Sequence, residues 1–120
     1  MKDASNDIQK AMMLTTLTDE WIKTIQLFGD VESVIKEALK FYSIDQCKQR
    51  IRKAADQISF YNGKYHFNYN EFKQTIQTDE KFLSKVETQN PLWEEDAMEW
   101  EYWHEEHQEW QNRLEAILRQ

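Results

Sequence analysis

The side chains best suited to chemistry lie near the C-terminus, where carboxylates and imidazoles stand three residues apart. Glu101 is followed by His104, and His107 comes three residues later. A Glu-x-x-His pair has the ligand spacing of di-iron four-helix bundles, and side chains three apart share a helix face. Such a bundle needs a second pair, but the remaining histidine, His66, stands in a turn-like segment. We therefore expect no metal and no cofactor, and a metal-bundle enzyme remains a third hypothesis.

Motifs of the common enzyme classes are missing from the sequence. It contains no Gly-rich phosphate loop, no GxSxG, no HExxH and no Cys-x-x-Cys. The single cysteine, Cys47, excludes an internal disulfide and is expected to be a small packing residue. Residues 1–10 lack the features of a signal peptide, and no apolar run approaches the ~20 residues that span a bilayer. These features predict a cytoplasmic protein that is not an enzyme and has no membrane contact.

The C-terminal segment also carries a heptad-like series of apolar residues, here called the Trp stripe. Its members are Trp93, Ala97, Trp100, Trp103, His107, Trp110, Leu114 and Ile117. A helical stripe of this kind must be buried, either against the chain's own core or in a groove on another protein. Four Trp residues favour a partner, because Trp is enriched at binding hot spots. The predicted partner-binding residues are Trp93, Trp100, Trp103, Trp110 and Leu114.

Charge divides the chain into two halves. Residues 1–62 carry nine basic and nine acidic side chains, whereas residues 63–120 carry six basic and thirteen acidic ones. The net charge of −7 therefore lies entirely in the second half. An acidic surface attracts basic proteins and repels nucleic acid, whose affinity for proteins depends on Lys and Arg.

Composition predicts a helix-rich chain with one short strand. Sixteen aromatic residues argue against disorder, and two glycines with one proline argue against a many-stranded sheet. Residues 11–18, which contain only Ala, Met, Leu and Thr, are the best strand candidate. Thr18 then caps a helix that ends near Gly29. A second helix begins near Asp30 and is either continuous or broken near Ser43.

The second half is predicted to hold further helices. Asn62-Gly63 is a turn signal. Asn68 or Asn70 can cap the next helix, and Thr78 with Asp79 can begin another. Asn90-Pro91 is typical of a helix start, and nothing interrupts the pattern from there to Arg119. The last helix is therefore long, acidic and rich in Trp.

The first half resembles the ribbon-helix-helix family. The resemblance lies in the Thr-rich strand, the helix start at Thr18-Asp19-Glu20, the glycine, and the stretch Val34-Ile35-Lys36-Glu37-Ala38-Leu39-Lys40-Phe41-Tyr42. It implies a homodimer whose two-stranded ribbon enters the DNA major groove. The residues that would then contact operator DNA are Lys10, Thr15 and Thr16.

The second half resembles the tails of prokaryotic type II antitoxins. Tyr61-x-x-Lys64-Tyr65, Asn70-Glu71-Phe72, Trp93 and Glu99-Trp100-Glu101 carry this resemblance. It implies an acidic helical arm that wraps and blocks a small basic toxin, often a ribonuclease. Operator binding by the first half would autoregulate transcription.

These observations combine into one hypothesis and one alternative. The predicted fold class is mainly α, with a short N-terminal ribbon-helix-helix-like strand followed by helices. The expected division is a flexible leader over 1–10, a dimerisation module over 11–60 and an acidic partner-binding region over 61–120. The predicted function is an antitoxin-like protein that neutralises a basic toxin. The alternative is a stand-alone helical interaction or scaffold protein whose Trp stripe packs inside the chain, without a DNA or toxin partner.

Overall fold

The computed structural model describes Ile8 and residues 17–120, and the regular elements within residues 17–120 are all helices. In chain order they are α1 (Asp19–Gln26), α2 (Val31–Tyr65), α3 (Tyr69–Thr78), α4 (Glu80–Gln89) and α5 (Trp93–Leu118). None of these helices combines the length and apolar character that crossing a membrane requires. The chain divides into two compact units, and the division lies between Tyr42 and Ser43, inside α2. The boundary expected at residue 60 also lies within this helix.

The predicted fold class is wrong because the described residues contain no strand. Residues 11–16, the first part of the expected strand, lie outside the described residues. Thr18 belongs instead to the start of α1, where its side chain accepts a hydrogen bond from the Trp21 backbone N–H at 3.3 Å. The alternation of Met, Leu and Thr was a weak strand signal, because only Thr among these residues favours strands. A ribbon-helix-helix fold is not supported.

The N-terminal unit, described from Leu17 to Tyr42, holds α1 and the first part of α2. The predicted helix start after Thr18 is confirmed. Gly29 has a φ of +148°, a region that side chains rarely adopt, and a Cβ there would lie 3.3 Å from Val34 Cγ2. Asp30 then accepts a hydrogen bond from the Ser33 backbone N–H at 3.1 Å, which caps the start of α2.

Helix α2 runs without interruption for 35 residues, so the segment after Asp30 is one helix. The turn predicted at Asn62-Gly63 is wrong, because both residues lie inside α2. Tyr61 and Tyr65 are both buried and flank Gly63, so side-chain packing holds the helix together there. The turn comes at His66, whose φ of +61° is left-handed and whose N–H donates to the Asn62 carbonyl at 2.9 Å.

The apolar positions of α2 continue through the boundary between the two units. In the N-terminal unit they follow intervals of three and four residues through Val31, Ile35, Ala38 and Phe41. Ile44 lies three residues after Phe41 and three before Cys47, and the same intervals then lead through Ile51, Ala54, Ile58, Tyr61 and Tyr65. One apolar series therefore serves the whole helix.

The C-terminal unit, Ser43–Gln120, surrounds one aromatic core. Asn68 caps α3 by accepting from the Glu71 N–H at 2.9 Å, and Asp79 caps α4 by accepting from the Phe82 N–H at 3.1 Å. Both short helices predicted from these caps are confirmed. The buried residues of the core are Tyr61, Tyr65, Tyr69, Phe72, Val86 and Trp100. They come from α2, α3, α4 and α5, so every helix of this unit contributes.

Candidate partner-binding surface

Helix α5 has a covered side that coincides with the Trp stripe. None of the eight stripe residues is exposed in the structure. At its centre Trp100 has no exposed surface, and its ring lies 5.2 Å from Phe72, 5.7 Å from Tyr65 and 5.9 Å from Tyr61 between centroids. Aromatic pairs at these distances add about 0.5–1.5 kcal/mol each beyond the burial of their area. The stripe therefore builds the interior of its own unit.

Burial changes what can be assigned to Trp100, which the sequence suggested as a partner-binding residue. A side chain without exposed surface offers nothing for a partner to contact. Its indole N–H is also buried and finds no acceptor among the described residues. The ring is thus held by packing, and the aromatic rings that contact it come from α2 and α3.

The neighbouring stripe residues Trp93 and Trp103 are half-buried in the same unit. The Trp93 ring lies 6.3 Å from the Phe72 ring and is packed against the core. The Trp103 ring faces the Lys53 ammonium of α2 at 5.5 Å. Its indole N–H, like that of Trp100, is buried without a partner among the described residues. Both rings therefore use most of their surface within the chain.

Trp110 and Leu114 lie further along α5 and are also half-buried. The Trp110 ring is contacted by two guanidinium groups, with Arg50 at 4.7 Å and Arg113 at 4.4 Å from its centroid. Its N–H donates to Glu106 at 2.9 Å. Leu114 lines an open groove of about 460 Å³ between α2 and α5, whose other lining residues are Lys48, Ile51, Arg52, Gln111, Glu115 and Leu118. Leu114 is the predicted partner-binding residue that lines this groove.

A polar cluster at Asp96 fastens α5 to α2. The Asp96 carboxylate accepts hydrogen bonds from the Tyr65 hydroxyl and from the Lys64 ammonium, both at 2.6 Å. Burial, and secondly the hydrogen bond to Asp96, raise the pKa of Tyr65 well above its ordinary value. Asp96, one of the acidic side chains expected to attract a basic partner, is therefore already paired with Lys64 of the same chain.

The opposite side of α5, here called the outer face, consists of Glu95, Met98, Tyr102, Glu105 and Glu109, spaced by three and four residues. All five are exposed, including 71% of Met98 and 51% of Tyr102. The Tyr102 ring leans edge-on against Trp103 at 5.0 Å, which connects it to the covered side. The outer face thus presents two large apolar side chains between glutamates.

The charge of the outer face is largely uncompensated. Residues 93–118 contain nine acidic side chains and one basic side chain, Arg113. Arg113 pairs with Glu109 at 2.9 Å. Glu95 and Glu105 form no ion pair with any residue that the structure describes. This side of α5 therefore projects a negative potential into solvent.

The histidine cluster does not assemble into a metal site among the described residues. Within residues 17–120, no group of three or more His, Cys, Asp and Glu side chains could hold a metal ion. His104 is exposed, and its ring lies 5.7 Å from the Tyr69 ring. Burial, and to a smaller extent the Glu101 carboxylate, raise the pKa of Tyr69. The Glu101 and His104 side chains therefore lie beside the aromatic core.

Sequence reasoning missed Met98 and Tyr102 because it concentrated on the Trp residues. The signal was present, since Met98 and Tyr102, together with Leu118 at the end of the helix, are the large apolar residues of α5 that do not fit the spacing of the Trp stripe. The predicted DNA-contacting residues, Lys10, Thr15 and Thr16, lie outside the described residues.

Comparison with known proteins adds no relative, because no family model, no curated protein and no solved structure matches the chain.

Proposed function

We propose that this protein is an antitoxin-like inhibitor that binds a small basic protein through the outer face of α5. The observation that carries the proposal is an exposed pair of large apolar side chains, Met98 and Tyr102, within an acidic surface. The Trp stripe, which the sequence suggested for this role, is used inside the chain. We therefore assign the partner-binding surface to the outer face, on the other side of the same helix.

Apolar side chains surrounded by charge are typical of a binding site. Tyr and Met are enriched at protein interfaces, and Tyr is among the commonest hot-spot residues. Met98 and Tyr102 are four residues apart, so both can enter one pocket on a partner. Glu95 and Glu105 stand one turn before and one turn after the pair and would meet a basic rim. Such complementarity speeds encounter and disfavours acidic partners.

Neutralisation would follow from the position of the acidic side chains. The outer face would cover the basic surface with which a ribonuclease holds RNA, because RNA and glutamates compete for the same Lys and Arg residues. The resemblance of the second half to antitoxin tails is the ground for naming a toxin as the partner, although its residues Tyr61, Tyr65 and Phe72 belong to the core and not to the outer face. Operator binding by Lys10, Thr15 and Thr16 stays a prediction from sequence, and the proposal does not depend on it.

A stand-alone helical scaffold is the second candidate, and one observation favours it. Trp100 and the rest of the Trp stripe are covered by the chain's own helices, as expected if the stripe only stabilises the fold. This candidate assigns no partner to the outer face. Substitutions there would then change neither binding nor stability.

Affinity capture separates the two candidates. Tagged full-length chain is incubated with an extract of its native host at moderate salt, and the retained proteins are identified by mass spectrometry. We expect a small basic protein that wild type retains and that Met98→Ser with Tyr102→Ser loses. Phe60→Ser is the matched control, because Phe60 is a 60% exposed aromatic residue of the same unit on α2.

The electrostatic part of the proposal has its own test in the same experiment. The retained protein should dissociate as salt is raised, since interactions between exposed charges weaken with ionic strength. Glu95→Gln with Glu105→Gln should lower the salt concentration at which it dissociates. Equal retention by wild type and both double variants would support the scaffold and reject the inhibitor.

A further inference from the structure

The N-terminal unit exposes large apolar side chains to an unusual extent. Between Leu17 and Tyr42 no described residue is buried. Its large exposed apolar residues are Trp21, Leu27, Phe28, Leu39, Phe41 and Tyr42, each with more than half of its surface open. Monomeric proteins seldom expose contiguous apolar patches larger than a few hundred Å².

Apart from Leu27, which follows Lys23 by four residues, these side chains are segregated from the charged residues along each helix. In α1 and the turn after it, Trp21, Ile25 and Phe28 follow intervals of four and three residues. In α2 the charged residues of this unit share the helix face opposite the apolar positions. Each helix is therefore amphipathic. The middle of each apolar face is half-buried at Ile25 and Ile35, whereas the large side chains around it are exposed.

We propose that these apolar faces form the interface between two copies of this chain. The inference is independent of the proposed function, which concerns α5. Most oligomers of identical chains are twofold dimers, in which the same surface patch of each copy meets the other. A patch of uncharged apolar side chains suits this arrangement, because it is complementary to itself without needing opposite charge.

The exposed area is sufficient for a dimer. A fully covered aromatic side chain buries about 150–250 Å². The four aromatic residues Trp21, Phe28, Phe41 and Tyr42 are exposed by 62%, 77%, 64% and 63%. At about two-thirds exposure they supply roughly 400–650 Å² per copy, and Leu39 adds to this. The pair would then bury roughly 800–1,300 Å² from aromatic residues alone, against the ~1,000 Å² that a specific interface needs.

Charge favours a second copy over the basic partner at this surface. Residues 17–42 contain three basic and five acidic side chains, whereas residues 43–120 contain ten basic and fifteen acidic ones. The acidic excess of the C-terminal unit is concentrated on α5, where residues 93–118 carry nine acidic and one basic side chain, so the strongest attraction for a basic protein lies there. The apolar faces of the N-terminal unit present little charge to steer such a partner or to repel an identical chain.

Measurement of molar mass in solution tests the proposal. Full-length protein is examined by sedimentation equilibrium from about 1 to 100 μM, a range that covers typical dimer affinities. We expect a mass of twice 14.6 kDa. Phe28→Glu with Phe41→Glu should return the mass to that of one chain, because each copy would bring two buried charges into the interface. Phe60→Glu, on an exposed aromatic residue of the other unit, should leave the dimer intact.

A milder variant distinguishes loss of the interface from misfolding of the chain. Phe28→Ala with Phe41→Ala removes the same rings without adding charge, and we expect its dimer to dissociate at least tenfold more readily. Retained far-ultraviolet circular dichroism would show that both double variants keep their helices. Wild type with the mass of one chain at 100 μM, or with a mass above that of two, would overturn the proposal. So would a dimer that Phe60→Glu disrupts and the Phe28 and Phe41 variants do not.

Discussion

The two units use the same kinds of side chain in opposite ways. Trp21 in the N-terminal unit is 62% exposed, whereas Trp100 in the C-terminal unit has no exposed surface. The reason is the number of helices around each ring. Trp100 is surrounded by residues of α2, α3 and α4, while the described part of the N-terminal unit has only α1 and the start of α2. Residue type alone thus does not decide burial, and an apolar face without enough neighbours in its own chain becomes a candidate interface.

The same contrast exists on the two sides of α5. The covered side carries the Trp stripe, and the outer face carries Met98 and Tyr102 among glutamates. A helix that separates its aromatic residues in this way can stabilise its own unit and still bind a partner.

The largest effect is expected from the matched pair Trp100→Ala and Trp21→Ala. Removing a buried Trp costs about 3–5 kcal/mol of the free energy of unfolding, because packing is lost and a cavity remains. Replacing the exposed Trp21 should lower the free energy of unfolding of the C-terminal unit by less than about 0.5 kcal/mol. Denaturant unfolding followed by circular dichroism at low protein concentration measures both. Equal losses for the two variants would contradict the assignment of the interior.

High pH should destabilise the C-terminal unit. Burial raises the pKa of Tyr61, Tyr65 and Tyr69 in the folded chain, so the neutral phenols are favoured there. Above about pH 10, the ordinary pKa of tyrosine, the unfolded chain loses these protons while the folded chain keeps them. The free energy of unfolding is therefore fully present below pH 10 and decreases as the pH rises beyond it.

Unfolding curves at several pH values between 8 and 11 check this behaviour. We expect Tyr65→Phe to reduce the decrease above pH 10, because one of the shifted groups is gone. A free energy of unfolding that stays constant above pH 10 would show that the three phenols are not protected in the folded chain.

A smaller effect is expected from loss of the hydrogen bond between Tyr65 and Asp96. Tyr65→Phe at pH 7 should cost about 1.5 kcal/mol, a typical value for a hydrogen bond to a charged group. Tyr61→Phe is the matched control, since Tyr61 lies one turn earlier on α2, is also buried and makes no such bond to Asp96. Both values come from chemical unfolding. A control as destabilised as Tyr65→Phe would mean that the Asp96 cluster contributes nothing specific.

The smallest effect is expected where Arg50 contacts the Trp110 ring. A cation–π interaction at a half-exposed site contributes about 0.5–1 kcal/mol. A double-mutant cycle with Arg50→Gln and Trp110→Leu isolates this coupling from the separate loss of each side chain. Zero coupling would indicate that the covered side of α5 stabilises the fold only through its buried centre.

Local features of the fold could be predicted from the sequence. Thr18, Asn68 and Asp79 mark helix starts because a capping side chain and the N–H groups it satisfies lie within three residues of one another. These interactions do not depend on how the rest of the chain is arranged. The long acidic final helix was also predicted, but the predicted start at Asn90-Pro91 is wrong, because the helix begins at Trp93 without a capping side chain.

Features that depend on distant residues could not be predicted. Asn62-Gly63 has the composition of a turn, but it lies within α2 because Tyr61 and Tyr65 pack against Trp100 on α5. For the same reason the sequence could not tell whether the Trp stripe faces the chain or a partner. That choice depends on α2 and α3 packing against the stripe, and the spacing of α5 alone contains no information about them.

Binding through the outer face of α5 is tested by a calorimetric titration of the captured basic protein into three forms of the 120-residue chain. These are wild type, Met98→Ser with Tyr102→Ser, and the control Phe60→Ser. If the outer face of α5 is the binding surface, the double variant should bind at least ~30-fold more weakly, equivalent to about 2 kcal/mol, and the control should match wild type. Equal affinities for all three forms would contradict binding through the outer face and would favour the stand-alone scaffold.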